Sequence, residues 1–358
     1  MIIAFWSNAN EKSSVTANMA AISTACVIRY PYSVVMMENY LSRSNLRAAF
    51  YGRETISFVN EVGTNYYDGN GMEGLIRKIY RGDHTKEVLH SYVKKIIPNR
   101  LFYIPQRRVL HSEVFDYEFG HGIEPLLKMM EQYADISFID TASHHNLSTK
   151  TILEKADLIV VNLYQNQTLL EDFFQNYSSL VSKSVFLINK YEYHTNLSCK
   201  VICHKYDLPM ENLIAIPENE LFQIACRSGG VKDFMDSYNN CGKESANYLF
   251  MHAIKKATYI ILKRAVEAER NREVEESYPA AERSDPNEQC FLKGNSFLKE
   301  NLYAEGNSNA KEQLVKEEFS FLKESCGKKI SFTKESACKE ELPYMVEQKE
   351  ELLCFGMK

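Results

Sequence analysis

The feature that most constrains the fold of this chain is a series of short, nearly all-apolar segments, each followed by polar or turn residues. Such segments are typical of parallel β-strands that are covered on both faces. Helical patterns lie between them, so the sequence predicts an α/β fold, an open, mostly parallel sheet with helices on both faces. The predicted strands are MIIAFW (1–6), SVVMME (33–38), LFYIP (101–105), ISFID (136–140), LIVVNL (158–163), VFLIN (185–189) and LIAIP (213–217).

The intervening helices are predicted from apolar residues spaced three and four apart, as in the segment after the first strand. A last helix is predicted from about residue 244 to 269, and it has two interpretations. It packs on the sheet and extends its cationic side chains towards water, which we favour, or it binds a membrane surface. Its cationic residues are Lys255, Lys256, Lys263 and Arg264.

The pattern changes at about residue 270, which divides the chain into two predicted domains, residues 1–270 and 271–358. The second part has 13 Lys and Arg against 18 Asp and Glu, a net charge of −5. Because the whole chain also has a net charge of −5, the first part is neutral, which argues against a large nucleic-acid footprint.

The second part lacks hydrophobic periodicity, which predicts a disordered tail. It contains an imperfect repeat whose phenylalanines are either docking elements for a partner or the result of drift in an unconstrained segment. The repeats are CFLKGN (290–295), SFLKEN (296–301), SFLKES (320–325) and SFTKES (331–336).

Composition predicts a cytoplasmic protein. No apolar run reaches the eighteen or so residues of a membrane helix, and the N-terminus enters a predicted strand without signal-peptide features. The nine cysteines include no Cys-x-x-Cys pair, which is typical of free thiols in a reducing compartment. Cys199, Cys203 and His204 come nearest to a zinc cluster, but a second ligand pair at zinc-finger spacing is absent.

The stretch NANEKSSV lies directly after the first predicted strand and before a helix, where α/β proteins bind phosphate. A phosphate loop needs close backbone N–H groups, a lysine for the phosphate oxygens and a hydroxyl for Mg²⁺. Lys12, Ser13 and Ser14 supply the last two in the right order at the start of the helix. The loop has no glycine, but Asn8 and Asn10 belong to the non-glycine type that best tolerates left-handed backbone.

Glu11 is the strongest argument against a working phosphate loop. It stands directly before Lys12, where the phosphate-loop pattern has glycine, and its carboxylate would repel a triphosphate. The loop alone therefore fails as a general Walker-type motif, and its interpretation depends on the segments around it.

Those segments resemble the MinD/ParA family of deviant Walker-A ATPases, whose pattern is KGGxGKT followed by a helix that carries NLA. Lys12 matches the phosphate-loop lysine, Ser13 the magnesium-binding hydroxyl, and Asn18 with NMAA the helix. Ser7 stands in the place of the family's signature lysine, which reaches across a nucleotide-sandwiched dimer. The resemblance covers roughly residues 1–265.

Later segments follow the same family pattern in order. Asp140 in ISFIDTAS matches the Walker-B aspartate, which implies Mg²⁺ ligation together with Ser13. Glu38 stands where the family has the aspartate that polarises the attacking water, but its longer side chain would place that water differently. Asn189 matches an asparagine near the adenine, and Pro217 lies near the base in the turn after the next strand.

The glycine of the family's second switch is replaced here by the stretch SHHN. Its residues His144 and His145 are either a catalytic pair or two solvated loop residues, and we favour the second interpretation.

Within the family, the segment order and the FWS start are most similar to the branch associated with Tad/Flp pilus assembly. The resemblance implies a recruiting or positioning scaffold for a pilus or secretion apparatus, with ATP and Mg²⁺ as ligands or no cofactor at all. Because Ser7 removes a cation from the transition state, we expect ATP hydrolysis to be weak or absent.

Two alternatives stay open. The first is an active ATPase switch that forms a homodimer on ATP and partitions or positions a cargo. The second is nonspecific DNA binding through the cationic residues of the last helix. We expect protein partners, no nucleic acid, and at most a peripheral contact with a membrane.

Overall fold

The structure is a computed structural model that describes residues 1–9, 14–39, 45–52, 71–106, 112–143 and 146–277. The described strands are β1 (Ile2–Trp6), β2 (Val34–Asn39), β3 (Lys94–Ile97), β4 (Leu101–Tyr103), β5 (Ile136–Thr141), β6 (Leu158–Tyr164), β7 (Ser184–Asn189) and β8 (Leu213–Ile216). They form a sheet in the order β3-β4-β2-β5-β1-β6-β7-β8. Neighbouring strands are parallel except for the antiparallel pair β3–β4.

Helices lie between the strands. They are α1 (Val15–Arg29), α2 (Asn45–Tyr51), α3 (Met72–Tyr80), α4 (Lys86–Tyr92), α5 (Ser112–Tyr133), α6 (Leu147–Lys155), α7 (Gln167–Asn176), α8 (Cys199–Lys205), α9 (Glu220–Ser228), α10 (Val231–Tyr238) and α11 (Tyr248–Ser277). Two 3₁₀ turns, Ser178–Lys183 and Met210–Asn212, precede β7 and β8.

The sheet has a hydrophobic cluster on each face because successive strand residues point to opposite sides. In β1, Ile3 and Phe5 belong to one cluster, and Ala4 and Trp6 belong to the other. Helices α1, α2, α9, α10 and α11 cover the first face, and α3 to α8 cover the second. The predicted open α/β sheet with helices on both faces is confirmed.

All seven predicted strands are present, but β3 was not predicted from the sequence. Its residues KKII carry no long apolar run, and Lys94 and Lys95 are exposed at the edge of the sheet. The strand forms because the chain reverses through Asn99, whose φ is 59°, and pairs β3 with β4. An edge strand such as β3 is only partly buried. The search for apolar runs, which are typical of strands buried on both faces, therefore does not find it.

The last helix packs on the sheet, which confirms the interpretation that we favoured. Ile254, Ala257 and Ile261 are fully buried in the cluster that also contains β1 residues. The helix is longer than predicted, however, and continues to Ser277. Near this end, the Arg272 guanidinium lies 2.8 Å from the carboxylate of Asp157, which is nearly inaccessible to solvent. Because Arg272 and Asp157 are far apart along the chain, the local sequence does not predict this contact.

Residues 278–358 lie outside the described residues. The disorder and repeats predicted for the tail therefore stay predictions. The predicted domain boundary at about residue 270 also stays a prediction, and α11 runs through this position to Ser277. Among the helices that are described, none combines the length and apolar character needed to cross a bilayer.

Candidate functional site

The candidate site lies at the carboxyl edge of the sheet, where β1, β5, β6, β7 and β8 end. Ligands of open α/β sheets bind at this edge. Of the predicted loop residues, Asn10, Glu11, Lys12 and Ser13 lie outside the described residues, as do His144 and His145. The flanking residues, which are described, define the entry to the loop and its exit.

Ser7 begins the loop and is almost fully buried, with 2% of its surface exposed. Its hydroxyl donates a hydrogen bond to the Asn162 main-chain oxygen on β6 (2.7 Å) and accepts one from the Ala9 N–H (3.1 Å). Ser7, which the resemblance aligns with the signature lysine, thus attaches the loop to β6 through a small side chain. Ser7 brings no charge to the site.

Asn8 directs its side chain away from the loop and towards α7. Its Nδ2 donates to the Leu169 main-chain oxygen (2.9 Å) and to Asp172 Oδ2 (2.8 Å). These two hydrogen bonds attach the start of the loop to α7, so the Asn8 amide has a structural role. The left-handed backbone considered for Asn8 is not observed, because its φ is not positive, whereas its part in phosphate binding stays a prediction.

Ser14 ends the loop in the left-handed region, with φ 56° and ψ 13°. α1 begins directly after it, at Val15. Left-handed backbone costs a non-glycine residue about 1–2 kcal/mol, so surrounding contacts must hold Ser14 there. One such contact is a hydrogen bond between the side chains of Ser14 and Tyr164.

Asp140 is the last residue but one of β5 and is completely buried. The Thr16 hydroxyl, in the first turn of α1, donates a short hydrogen bond to Asp140 Oδ2. A hydroxyl and a carboxylate are the oxygen ligands that Mg²⁺ accepts, so the chemistry of this pair fits the predicted metal. The sequence analysis did not single out Thr16, because a helical threonine carries no sign of which strand it faces.

Glu38 is buried at the end of β2, beside Asp140 in the strand register. Its Oε1 accepts hydrogen bonds from the main-chain N–H groups of Asn45 and Leu46, each at 2.9 Å. These N–H groups open α2 and have no partner within the helix, so the carboxylate caps α2 and complements its dipole. The residue predicted for water activation therefore has a structural task.

A small pocket opens between the ends of β7 and β8 and the start of α1. We call it the strand-end pocket. It contains the predicted residues Ser14, Asn189 and Pro217, and its other polar lining residues include Asn18, Lys190 and Glu218. Apolar side chains at its base include Ile216, Phe222 and Phe250. A lining of apolar side chains with a few polar groups is common in small-molecule sites.

Lys190 and Glu218 form an ion pair at the rim of the strand-end pocket. Their Nζ and Oε1 atoms lie 2.9 Å apart, and both side chains are about half exposed, at 48% and 51%. The hydrogen bond that Lys190 donates to Glu218 raises the pKa of Lys190. Tyr164 lies near the same pair, and burial raises its pKa, while its hydrogen bond with Ser14 lowers it. The rim thus carries both a cation and a carboxylate.

Three asparagines form a buried cluster behind the strand-end pocket. Asn18 Nδ2 donates to Asn162 Oδ1 (2.7 Å) and to Asn189 Oδ1 (2.5 Å). Asn162 Nδ2 lies within hydrogen-bonding distance of the main-chain oxygens of Val160 (3.2 Å) and Trp6 (3.5 Å). The cluster joins α1, β6 and β7 at the carboxyl edge. The sequence analysis did not single out Asn162.

No protein-family model and no curated protein sequence matches the chain. Solved structures do. A ParA family ATPase from Chlorobium tepidum has a TM-score of 0.55 and 14% identity, and the match covers 72% of this chain and 98% of that one.

Two further structures are similar to this chain. The septum site-determining protein MinD of Pyrococcus horikoshii, complexed with Mg-ADP, has a TM-score of 0.51 and 14% identity, covering 76% and 97% of the two chains. A MinC:MinD cell division protein complex from Aquifex aeolicus has a TM-score of 0.50 and 14% identity, covering 73% and 95%. The chain therefore has the fold of the MinD/ParA ATPases, as the sequence predicts.

Proposed function

We propose that this chain is a degenerate MinD/ParA-like P-loop protein that binds a nucleotide and acts as a recruiting or positioning scaffold, with weak or absent ATP hydrolysis. The observation that carries the proposal is the buried Ser7, which occupies the signature-lysine position and is committed to the β6 main chain.

Nucleotide binding is supported by the strand-end pocket and by the Thr16–Asp140 pair. The pocket lies beside the start of α1, so a base held there would direct its phosphates towards the loop. Asp140, which Thr16 holds by a hydrogen bond, would bind Mg²⁺ together with the predicted ligand Ser13, and Lys12 would contact the phosphates. When bound, a Mg-nucleotide would bring the negative charge of its phosphates and its metal ion to the loop. The similar MinD structure from Pyrococcus horikoshii contains Mg-ADP.

Slow hydrolysis is supported by the contacts that Ser7 and Glu38 make within the fold. Ser7 extends no cation towards a transferring phosphate, and Glu38 is committed to the first N–H groups of α2. Removal of one group that stabilises a transition state typically slows catalysis by about 10²- to 10³-fold. With both functions altered, we expect turnover to be far below that of an active switch.

Protein partners fit this proposal better than nucleic acid does. The MinD of Aquifex aeolicus forms a complex with MinC, another protein. The DNA alternative relied on four cations, but Lys255 donates to the Asn239 main-chain oxygen and Arg264 pairs with Glu267 (3.5 Å). Burial lowers the pKa of Lys255, and the nearby Arg29 lowers it further. Half of the proposed basic patch is therefore engaged within the fold.

The finer parts of the proposal depend on the sequence. A role in Tad/Flp-type pilus or secretion assembly follows from the resemblance to that branch, and a homodimer follows from the family. A cytoplasmic location agrees with the five cysteines of the described residues, all of which are free thiols.

The test is a titration of the whole chain with Mg-ATP. Trp6 is the only tryptophan and directly precedes Ser7, so its fluorescence reports on the loop, and calorimetry gives the affinity independently. We expect saturable binding that is lost in Lys12→Ala, with little phosphate released over hours. Rapid phosphate release would favour the active switch instead. No binding at all would leave a protein that keeps only the fold.

A further inference from the structure

We propose that residues 267–277, the last three turns of α11, form an arm that Arg272 latches by charge to the amino edge of the sheet, where the strands begin. The arm has a latched state, which is the state of this structure, and a released state in which α11 ends near Val266. The inference concerns the place where the chain leaves its last helix, and it does not depend on nucleotide binding.

The apolar attachment of α11 ends before the arm begins. Ile261, Leu262 and Ala265 are buried, and Val266 is the last described side chain of the helix that packs against either hydrophobic cluster. The arm sequence, EAERNREVEES, has a single large apolar residue. Hydrophobic burial therefore fixes α11 as far as Val266, and the arm needs a different attachment.

Arg272 supplies that attachment. One nitrogen of its guanidinium lies 2.8 Å from Asp157 Oδ1, directly before β6, and another lies 3.5 Å from Glu131 Oε1 on α5. Asp157 is nearly inaccessible to solvent, and Glu131 is partly buried. The planar guanidinium can address two carboxylates at once, so one side chain joins the arm to two elements of the fold.

Asp157 connects the latch to the sheet itself. Its Oδ2 accepts a hydrogen bond from the Ile2 N–H (2.7 Å), and its own N–H donates to the Ile2 main-chain oxygen (2.9 Å). One carboxylate oxygen is thus engaged by β1 and the other by Arg272. A buried carboxylate that loses its cationic partner stays desolvated without compensation, which is unfavourable. The structure of the edge therefore favours the latched state.

The other charges of the arm give docking little support. Glu269 Oε1 lies 3.4 Å from the Met1 nitrogen, near the start of the arm. The arm as a whole has five glutamates against two arginines, and it docks beside the carboxylates of Glu131 and Asp157. Like charges repel, and isolated helices shorter than about 12–15 residues are marginal in water. Without Arg272, the arm should leave the edge and lose its helical hydrogen bonds.

The latch decides where the chain leaves α11. The helix begins at the carboxyl edge of the sheet, where Phe250 lines the strand-end pocket, and Arg272 lies at the amino edge. In the latched state, the end of the helix is therefore held at the edge opposite the candidate site. In the released state, each residue of the arm adds up to about 3.3–3.6 Å to the reach of the chain.

The test is amide hydrogen exchange of the whole chain, read by mass spectrometry in peptides from residues 250–262 and 267–277. We expect Arg272→Gln to raise exchange in the arm by about tenfold or more and to leave residues 250–262 within about twofold of the native rate. Arg272→Lys keeps the cation without the planar fork and should lie between the two. Asp157→Asn should also release the arm, and it keeps the test decisive if Arg272→Gln does not fold.

Arg264→Gln is the matched control. Arg264 lies on the same helix, and its carboxylate partner Glu267 (3.5 Å) is also on that helix, so the change removes a cation from α11 without touching the amino edge. We expect the arm to exchange as in the native chain. Equal acceleration by Arg264→Gln and Arg272→Gln would assign the effect to helix charge and overturn the latch.

Three further results would contradict the inference. Arm amides that stay equally protected in Arg272→Gln and Asp157→Asn would show that the ion pair does not hold the arm. Arm amides that are already unprotected in the native chain would show that there is no latched state. Equal acceleration along all of α11 would show that the arm is not a separate unit.

Discussion

The candidate site has two halves that are built in different ways. In the loop half, which comprises Ser7, Asn8, Ser14, Glu38 and Asp140, the described polar side chains are engaged by neighbouring strands and helices. In the pocket half, which is the strand-end pocket beyond Ser14, the polar groups of Lys190 and Glu218 are at a half-exposed rim. Under the proposed function, base binding and phosphate cleavage would depend on separate groups, so a chain could keep the first and lose the second.

The largest expected effect comes from a contact between two helices, α2 and α9, that each adjoin one of the halves. Gly229 follows α9 in the pocket half and touches the end of α2, the helix that Glu38 caps. A Cβ there would lie 2.3 Å from the Gly52 nitrogen, and Gly229 has φ +85°. We expect Gly229→Ala to lower the free energy of unfolding in urea by about 3 kcal/mol or more, through overlap and left-handed strain.

The matched control for this change is the next residue. A Cβ on Gly230 would meet its nearest neighbour at 3.6 Å, an ordinary contact, and its φ is −94°. We expect Gly230→Ala to change stability by less than about 1 kcal/mol. Equal losses in the two variants would show that the close approach of Gly229 to Gly52 does not limit stability.

The second prediction concerns the signature-lysine position. Ser7→Lys replaces a buried hydroxyl by a cation that cannot reach water without breaking the attachment to β6, so we expect a loss of about 3 kcal/mol in unfolding free energy. Ser7→Ala, which removes only the hydrogen bonds, should cost about 1 kcal/mol. A Ser7→Lys protein that is as stable as the native chain and hydrolyses ATP faster would mean that the loop half needs only this one cation.

The third prediction separates the two tasks considered for Glu38. As a helix cap, it should cost about 1–2 kcal/mol of stability when changed to Ala. Glu38→Gln keeps an acceptor oxygen for the N–H groups of α2 and should cost less. Neither change should alter the rate of phosphate release from ATP. Loss of residual hydrolysis in Glu38→Gln at unchanged stability would instead assign Glu38 to water activation.

The smallest stability effect is expected at the rim of the strand-end pocket. Because Lys190 and Glu218 are about half exposed, Lys190→Ala and Glu218→Ala should each change the unfolding free energy by less than about 1 kcal/mol. Both variants should nevertheless change the affinity for Mg-ATP, measured by calorimetry, because the pair lies where a base would enter. An affinity that is unchanged in both variants would place the base elsewhere.

The fold follows from the sequence because seven strands are apolar runs, and a run identifies a buried strand without knowledge of its neighbours. β3 was not predicted because Lys94 and Lys95 make it a polar edge strand. The end of α11 was not predicted because Arg272 pairs with Asp157, which is distant along the chain. Strand order then brings Asn189 beside Tyr164 and Ile216 in register, so the predicted residues Asn189 and Pro217 lie in one pocket.

Side-chain direction could not be predicted in the same way. The sequence shows that Asn8 and Glu38 follow strands, but not that one amide turns to α7 and the other side chain caps α2. Thr16 and Asn162 were missed because their partners, Asp140 and Asn18, are more than a hundred residues away along the chain. These choices are made by tertiary contacts, whereas the alternation of apolar runs and helical patterns is local.

The separation of binding from hydrolysis is tested most directly in one sample of the whole chain with γ-labelled Mg-ATP, in which bound nucleotide and released phosphate are measured together. From the pocket half we expect saturable binding of ATP. From the loop half we expect most of the bound ATP to remain intact over many dissociation times. Rapid conversion of the bound ATP to ADP and phosphate, abolished by Lys12→Ala, would contradict the account.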